Sequence, residues 1–237
     1  MKTLIFILLL ASLPHGKDLS VKDTDLLGAW KTTLSDGSNA VCIITESYFS
    51  VTFFQENTPR FISTFGGKWS AKGNQVSIEY EYNTENTYMV GKKETRYVNV
   101  NSDRLYIDDT SWERIDDGTP GKLAGAWLIT GREREGKMGT ITPGARKTMK
   151  ILSGKYFQWI AYNTETGEFF GTGGGTYTTK GGKYTENIKF FSRDNARVGA
   201  SLEFDFEVKE GKWHHKGFSS KGDPMYEIWS QRKDIGI

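Results

Sequence analysis

Between residues 75 and 82 apolar and polar side chains alternate without a break. Val76, Ile78, Tyr80 and Tyr82 fall on one face, and Gln75, Ser77, Glu79 and Glu81 on the other. A period of two is that of a strand with one buried and one wet face. Further runs at 28–34, 40–44, 48–54, 60–71, 95–100, 104–107 and 111–115 bring the count to eight, separated by turn signals such as Lys72-Gly73-Asn74 and Asn101-Ser102-Asp103. Later in the chain Leu202, Phe204, Phe206 and Val208 alternate with Glu203, Asp205 and Glu207 before the Glu210-Gly211 turn. The pattern predicts short antiparallel strands throughout and almost no helix.

The strands come in two sets. Leu27-Gly28-Ala29-Trp30 recurs as Ala124-Gly125-Ala126-Trp127. Tyr48-Phe49 recurs as Tyr156-Phe157, and Gly66-Gly67 as Gly174-Gly175; both pairs are 108 residues apart. Trp112-Glu113-Arg114 has its counterpart in Trp229-Ser230-Gln231-Arg232. Landmarks in the same order imply two divergent copies of one domain. The expected organisation is a first barrel over 26–116, a polar Gly/Pro linker over 117–122 and a second barrel over 123–233. Each copy has its own full set of strand signals, so each is expected to fold as a separate unit that cleavage in the linker would release.

Eight short antiparallel strands per copy are satisfied by an up-and-down barrel, which removes exposed edges; a sandwich is the alternative. The double glycine lies inside the long fourth strand of each copy, where missing Cβ atoms permit the bulge that closure requires or the close approach of a ligand.

The first residues, Met1-Lys2-Thr3 followed by the apolar run 4–10 and then Ala11-Ser12, have the order of a secretory signal over 1–16. An exported, periplasmic or secreted protein is expected. The apolar run is too short to span a bilayer as a helix, and no later run approaches that length, so no integral membrane segment is expected. A single cysteine, Cys42, excludes an intrachain disulfide and reads as a buried hydrophobe. The 31 Lys and Arg against 29 Asp and Glu are interspersed, which argues against a nucleic-acid footprint.

Gly28 and Trp30 on the first strand with Arg114 on the last, and Gly125 and Trp127 with Arg232, resemble the signature of the calycins, the lipocalin superfamily. The second copy is similar to uncharacterised lipocalin-like exported proteins of bacteria. This resemblance implies a barrel end plugged by the Trp with the Arg packed across its ring, a structural role. The Trp-to-Arg spacing is two residues in the first copy and three in the second, which leaves Gln231 as another occupant of that position.

The candidate chemistry is concentrated in the second copy. His214 and His215 are adjacent on a strand and so point to opposite faces, which argues against a shared metal site. If Trp213 faces inward, so does His215, and Glu186, Tyr177 or Glu227 could pair with it for acid–base work; a hydrogen-bonded structural histidine is the plainer alternative. Gly171-Thr172-Gly173-Gly174-Gly175 lacks the following helix that a phosphate loop needs. No cofactor is expected. These residues predict a small amphipathic or aromatic ligand in the second barrel, held by Trp159, Tyr177, Glu186, Trp213 and His215. The alternatives are a barrel enzyme, an isomerase or hydrolase with His215 and Glu186 or Glu227 as acid–base pair, and a structural or partner-binding module with filled barrels.

Overall fold

The computed structural model describes residues 21–119, 121–219 and 222–237. The signal-like segment lies outside them. Strands β1 (Gly28–Thr33), β2 (Asn39–Ile44), β3 (Tyr48–Gln55), β4 (Arg60–Lys72), β5 (Gln75–Asn83), β6 (Lys93–Val100), β7 (Arg104–Ile107) and β8 (Thr110–Asp116) pair in sequence order. β8 then pairs with β1 and closes an antiparallel barrel. β9 (Gly125–Arg134), β11 (Arg146–Leu152), β12 (Tyr156–Asn163), β13 (Phe169–Lys180), β14 (Lys183–Phe191), β15 (Ser201–Lys209), β16 (Lys212–Phe218) and β17 (Pro224–Gln231) repeat the arrangement, with β17 pairing to β9. The expected tandem pair of eight-stranded barrels is therefore the fold. Among the described residues helix is confined to α1 (Asp23–Leu26) and three 3-10 turns, and no described helix is long and apolar enough to cross a membrane.

One strand was not anticipated. β9 runs ten residues where β1 runs six, and its excess folds back at Glu135 and Gly136, both at positive φ, to pair with β10 (Lys137–Thr140). Two consecutive left-handed residues give the turn whose twist matches a two-residue hairpin. β10 extends the wall of the second barrel without entering its closure.

The double glycines do what closure demands. The ladder shifts register between Gly66 and Gly67, and again between Gly174 and Gly175. A Cβ on Gly67 would overlap the Glu79 carbonyl, and one on Gly175 the Asn187 carbonyl. Their neighbours Gly66 and Gly174 lie directly under the rings of Tyr82 and Phe190.

The Trp plugs are repeated too. Trp30 donates from Nε1 to the Leu26 carbonyl and Trp127 to the Leu123 carbonyl, each at 2.8 Å. Arg114 lies across the Trp30 ring, 3.9 Å from its centroid, and binds the carbonyls of Leu27 and Asp25. In the second copy the extra residue changes the outcome. Gln231 is the ladder partner of Trp127, as Arg114 is of Trp30. Arg232, one step further along, is carried out of the plug and lies over Tyr48 of the first barrel, 3.9 Å from its centroid.

Each barrel closes on itself, but their outer faces are not free. Val41, Ile43, Tyr48, Phe54 and Tyr82 of the first pack against Leu128, Met149, Ile151, Ile160, Tyr162 and Phe190 of the second in one buried cluster. The barrels thus share a core in addition to their two interiors. Separating the barrels would expose this face, so the expected independence of the two units does not extend to their outer walls.

Candidate functional site

The two interiors have diverged in opposite directions. In the first barrel Phe49, Val51, Phe65, Trp69, Ile78, Leu105 and Trp112 surround a cavity of about 260 Å³. Trp30 and Arg114 lie towards the end of β8, while Arg96, Asp108 and Thr110 line the cavity near its start. Strands rise ~3.3 Å per residue, so the apolar floor and the polar side are separated along the barrel axis. At the polar side Arg96 donates to Glu94 at 2.6 Å and to Asp108 at 3.2 Å, and Tyr80 donates to Glu94 at 2.8 Å. The single guanidinium there is already held by two carboxylates.

One of the residues that line the cavity carries an unmet donor. Trp112 is buried and its Nε1 has no hydrogen-bond partner, whereas the indole of Trp69, on the same wall, donates to the Thr45 carbonyl at 2.8 Å. A buried N–H left unpaired costs free energy that a ligand acceptor or a water can recover. Cys42 also lines the cavity, but burial pushes its thiol up to about 12. It behaves as the small hydrophobe expected from the sequence.

The second interior is occupied by its own side chains. Lys150 and Glu186 form an ion pair at 2.8 Å, both almost wholly buried. The Lys150 ammonium also lies 4.9 Å from the rings of Tyr184 and Trp213, 5.4 Å from Trp229 and 5.7 Å from Phe204. The equivalent positions in the first barrel, 108 residues earlier, are Cys42 and Ile78. A charged pair in a cage of rings therefore stands where the first barrel has an apolar lining.

Trp213 and His215 both point inward, as their spacing predicted, and His214 points outward, where its Nδ1 is 2.7 Å from the Tyr226 hydroxyl. His215 packs on Phe204 and Trp213, and its Nδ1 is unpartnered. Burial, with help from the Lys150 charge, holds its pKa well below the ordinary histidine value. Glu186 is taken by Lys150. Glu227 is bound to Arg132 and accepts from Trp229 Nε1 at 3.2 Å. Neither carboxylate is hydrogen-bonded to the His215 Nδ1. Tyr177 donates to the Ser153 carbonyl at 2.6 Å, the same bond that Trp69 makes in the first copy. Trp159 is half-buried against Phe191.

Lys150 was not found from the sequence. Its signal was available, because the 108-residue offset places it on Cys42, a position already read as buried. The fold and site define a tandem pair of closed antiparallel barrels, one hollow and one filled. Protein-family models offer no match to the chain, and no curated protein is significantly similar to it.

Proposed function

We propose that this is an exported, lipocalin-like protein whose first barrel binds a small, uncharged, largely apolar molecule carrying one hydrogen-bond acceptor. The reading rests on the cavity of about 260 Å³ lined by Trp112, whose buried Nε1 has no hydrogen-bond partner. That volume is just below the ~300–1,000 Å³ typical of sites for drug-sized ligands, so the ligand is fragment-sized. Phe49, Phe65, Trp69, Tyr80 and Trp112 supply ring faces and edges for a flat apolar body. Arg96 argues against an anionic ligand, since Glu94 and Asp108 already engage it. The sequence placed the ligand in the second barrel; Lys150, Glu186 and the rings around them favour the first instead, because they occupy the second interior.

A set of near-isosteric probes tests the reading: acetophenone, ethylbenzene, benzoate and benzylammonium, titrated against intrinsic Trp fluorescence. Acetophenone should bind tightest. Trp112→Phe should weaken acetophenone by about fivefold, the worth of one hydrogen bond of ~1 kcal/mol, and leave ethylbenzene unchanged. Preference for either charged probe, or equal loss of both neutral ones, would refute the assignment.

A further inference from the structure

The contacts between the barrels obey a rule that links them to self-association. Residues 108 apart touch one another: Ser50 bonds Gln158, and Phe61 stacks on Phe169 with centroids 5.9 Å apart. Thr64 and its equivalent Thr172 both accept from the Gln158 amide, at 3.1 and 2.9 Å. Off this line the contacts occur in pairs. Phe54 meets Phe190 at 5.1 Å, and Tyr82 meets Tyr162 at 4.8 Å. Since 54 corresponds to 162 and 82 to 190, these are one contact made twice. Residue i touching j while j touches i is the mark of a two-fold face, the kind that joins identical subunits.

A buried ion pair breaks the symmetry. Arg232 makes two hydrogen bonds to Glu81, at 2.6 and 2.7 Å, and Tyr162 donates to the same carboxylate at 2.6 Å. Burial acts to raise the Glu81 carboxyl, but the Arg232 hydrogen bonds and charge outweigh it and hold it below the ordinary range. The corresponding positions carry different chemistry. Glu81 is matched by Lys189, and Arg232, one residue past the ladder partner of Trp127, is matched by Ile115. A first barrel facing another first barrel would set Glu81 against Ile115. Two second barrels would set Arg232 against Lys189.

We propose that Glu81 and Arg232 select the pairing of unlike barrels on a face that two like barrels could otherwise share. Both like pairings leave a buried charge unpaired or facing its own sign, and only the unlike pairing satisfies it. The pair thereby keeps the barrels of one chain together and suppresses assembly between chains, the usual hazard of tandem copies.

A cysteine on the two-fold line reads the pairing directly, because Cys42 is buried. In the full chain, Ser50→Cys with Gln158→Cys should give an intrachain disulfide on mild oxidation. Gln158→Cys alone should stay monomeric. Adding Arg232→Glu, which meets Lys189 favourably when second barrels pair, should raise the disulfide-linked dimer roughly a hundredfold, the lower end of what an unpaired buried charge costs. Adding Lys189→Glu as well should abolish that dimer. Should Arg232→Glu fail to fold, Arg232→Met in the same background is expected to dimerise too, since the repulsion from Lys189 is gone. Absence of the intrachain disulfide, absence of dimer in the folded Arg232 variant, or a dimer indifferent to Lys189→Glu overturns the proposal.

Discussion

Removing either partner of the Lys150–Glu186 pair should be costly, while removing both should be nearly free. At 2.8 Å and an effective dielectric constant of about 20, the attraction amounts to roughly 6 kcal/mol. Withdrawing each ion from water costs several kcal/mol, so the pair comes close to breaking even against an apolar filling. The rings of Tyr184 and Trp213 add a cation–π contribution that exists only while the ammonium is present. Glu186→Gln strands the ammonium and Lys150→Met strands the carboxylate, so each should lose about 3–5 kcal/mol. Lys150→Met with Glu186→Leu should lie within about 2 kcal/mol of the parent, as the Cys42 and Ile78 lining of the first barrel already indicates that an apolar pair suits this place. The assay is urea unfolding followed by Trp fluorescence and far-UV circular dichroism, whose transitions should coincide because the barrels share a core. Single variants that lose less than about 1 kcal/mol, or a double variant as unstable as the sum of the singles, would refute the reasoning.

Trp30→Ala and Trp127→Ala should each cost roughly 3–5 kcal/mol in the same assay, since both indoles are buried and anchor a chain entry through Nε1. For His215 the sign follows from its depressed pKa: below about 6.5 the unfolded chain takes up a proton that the folded chain refuses. Its contribution is therefore fully kept above that pH and lost at up to ~1.4 kcal/mol per unit as pH falls towards the folded value, a slope that His215→Phe should remove from the melting profile. Protease cleavage within 117–122 should leave two fragments that co-elute on gel filtration, held by the shared face, whereas separate elution would show that face to be weak.

The strand-by-strand order was legible because the sequences of β5 and β15 alternate, although the bulge at Gly66 and Gly67 turns Tyr82 to the shared face and buries Glu81 there, and because the repeat doubled every landmark. Trp30 with Arg114 was legible for a similar reason, since both lie on regular strands at a fixed spacing. Arg232 was not, because one additional residue moves a side chain from the barrel end to its outer wall, and that destination depends on a partner 151 residues away in sequence. The shared face left a trace that was overlooked. All six residues of β2 are buried, and an apolar run such as Ala40–Ile44 belongs to a strand covered on both sides. The hollow first barrel was hidden for a different reason. Interior volume depends on how Phe49, Phe65 and Trp112 are turned, and alternation fixes only the face they occupy.

The most direct test of a ligand chamber in the first barrel is the set of seven Trp indole N–H resonances, followed by ¹⁵N–¹H correlation while acetophenone is added. Trp30, Trp69 and Trp127 donate to backbone carbonyls and should barely move. Trp112, unpaired in the free protein, should shift downfield saturably as it acquires an acceptor. Saturable shifts at Trp213 and Trp229 with Trp112 unmoved would contradict the account and return the ligand to the second barrel.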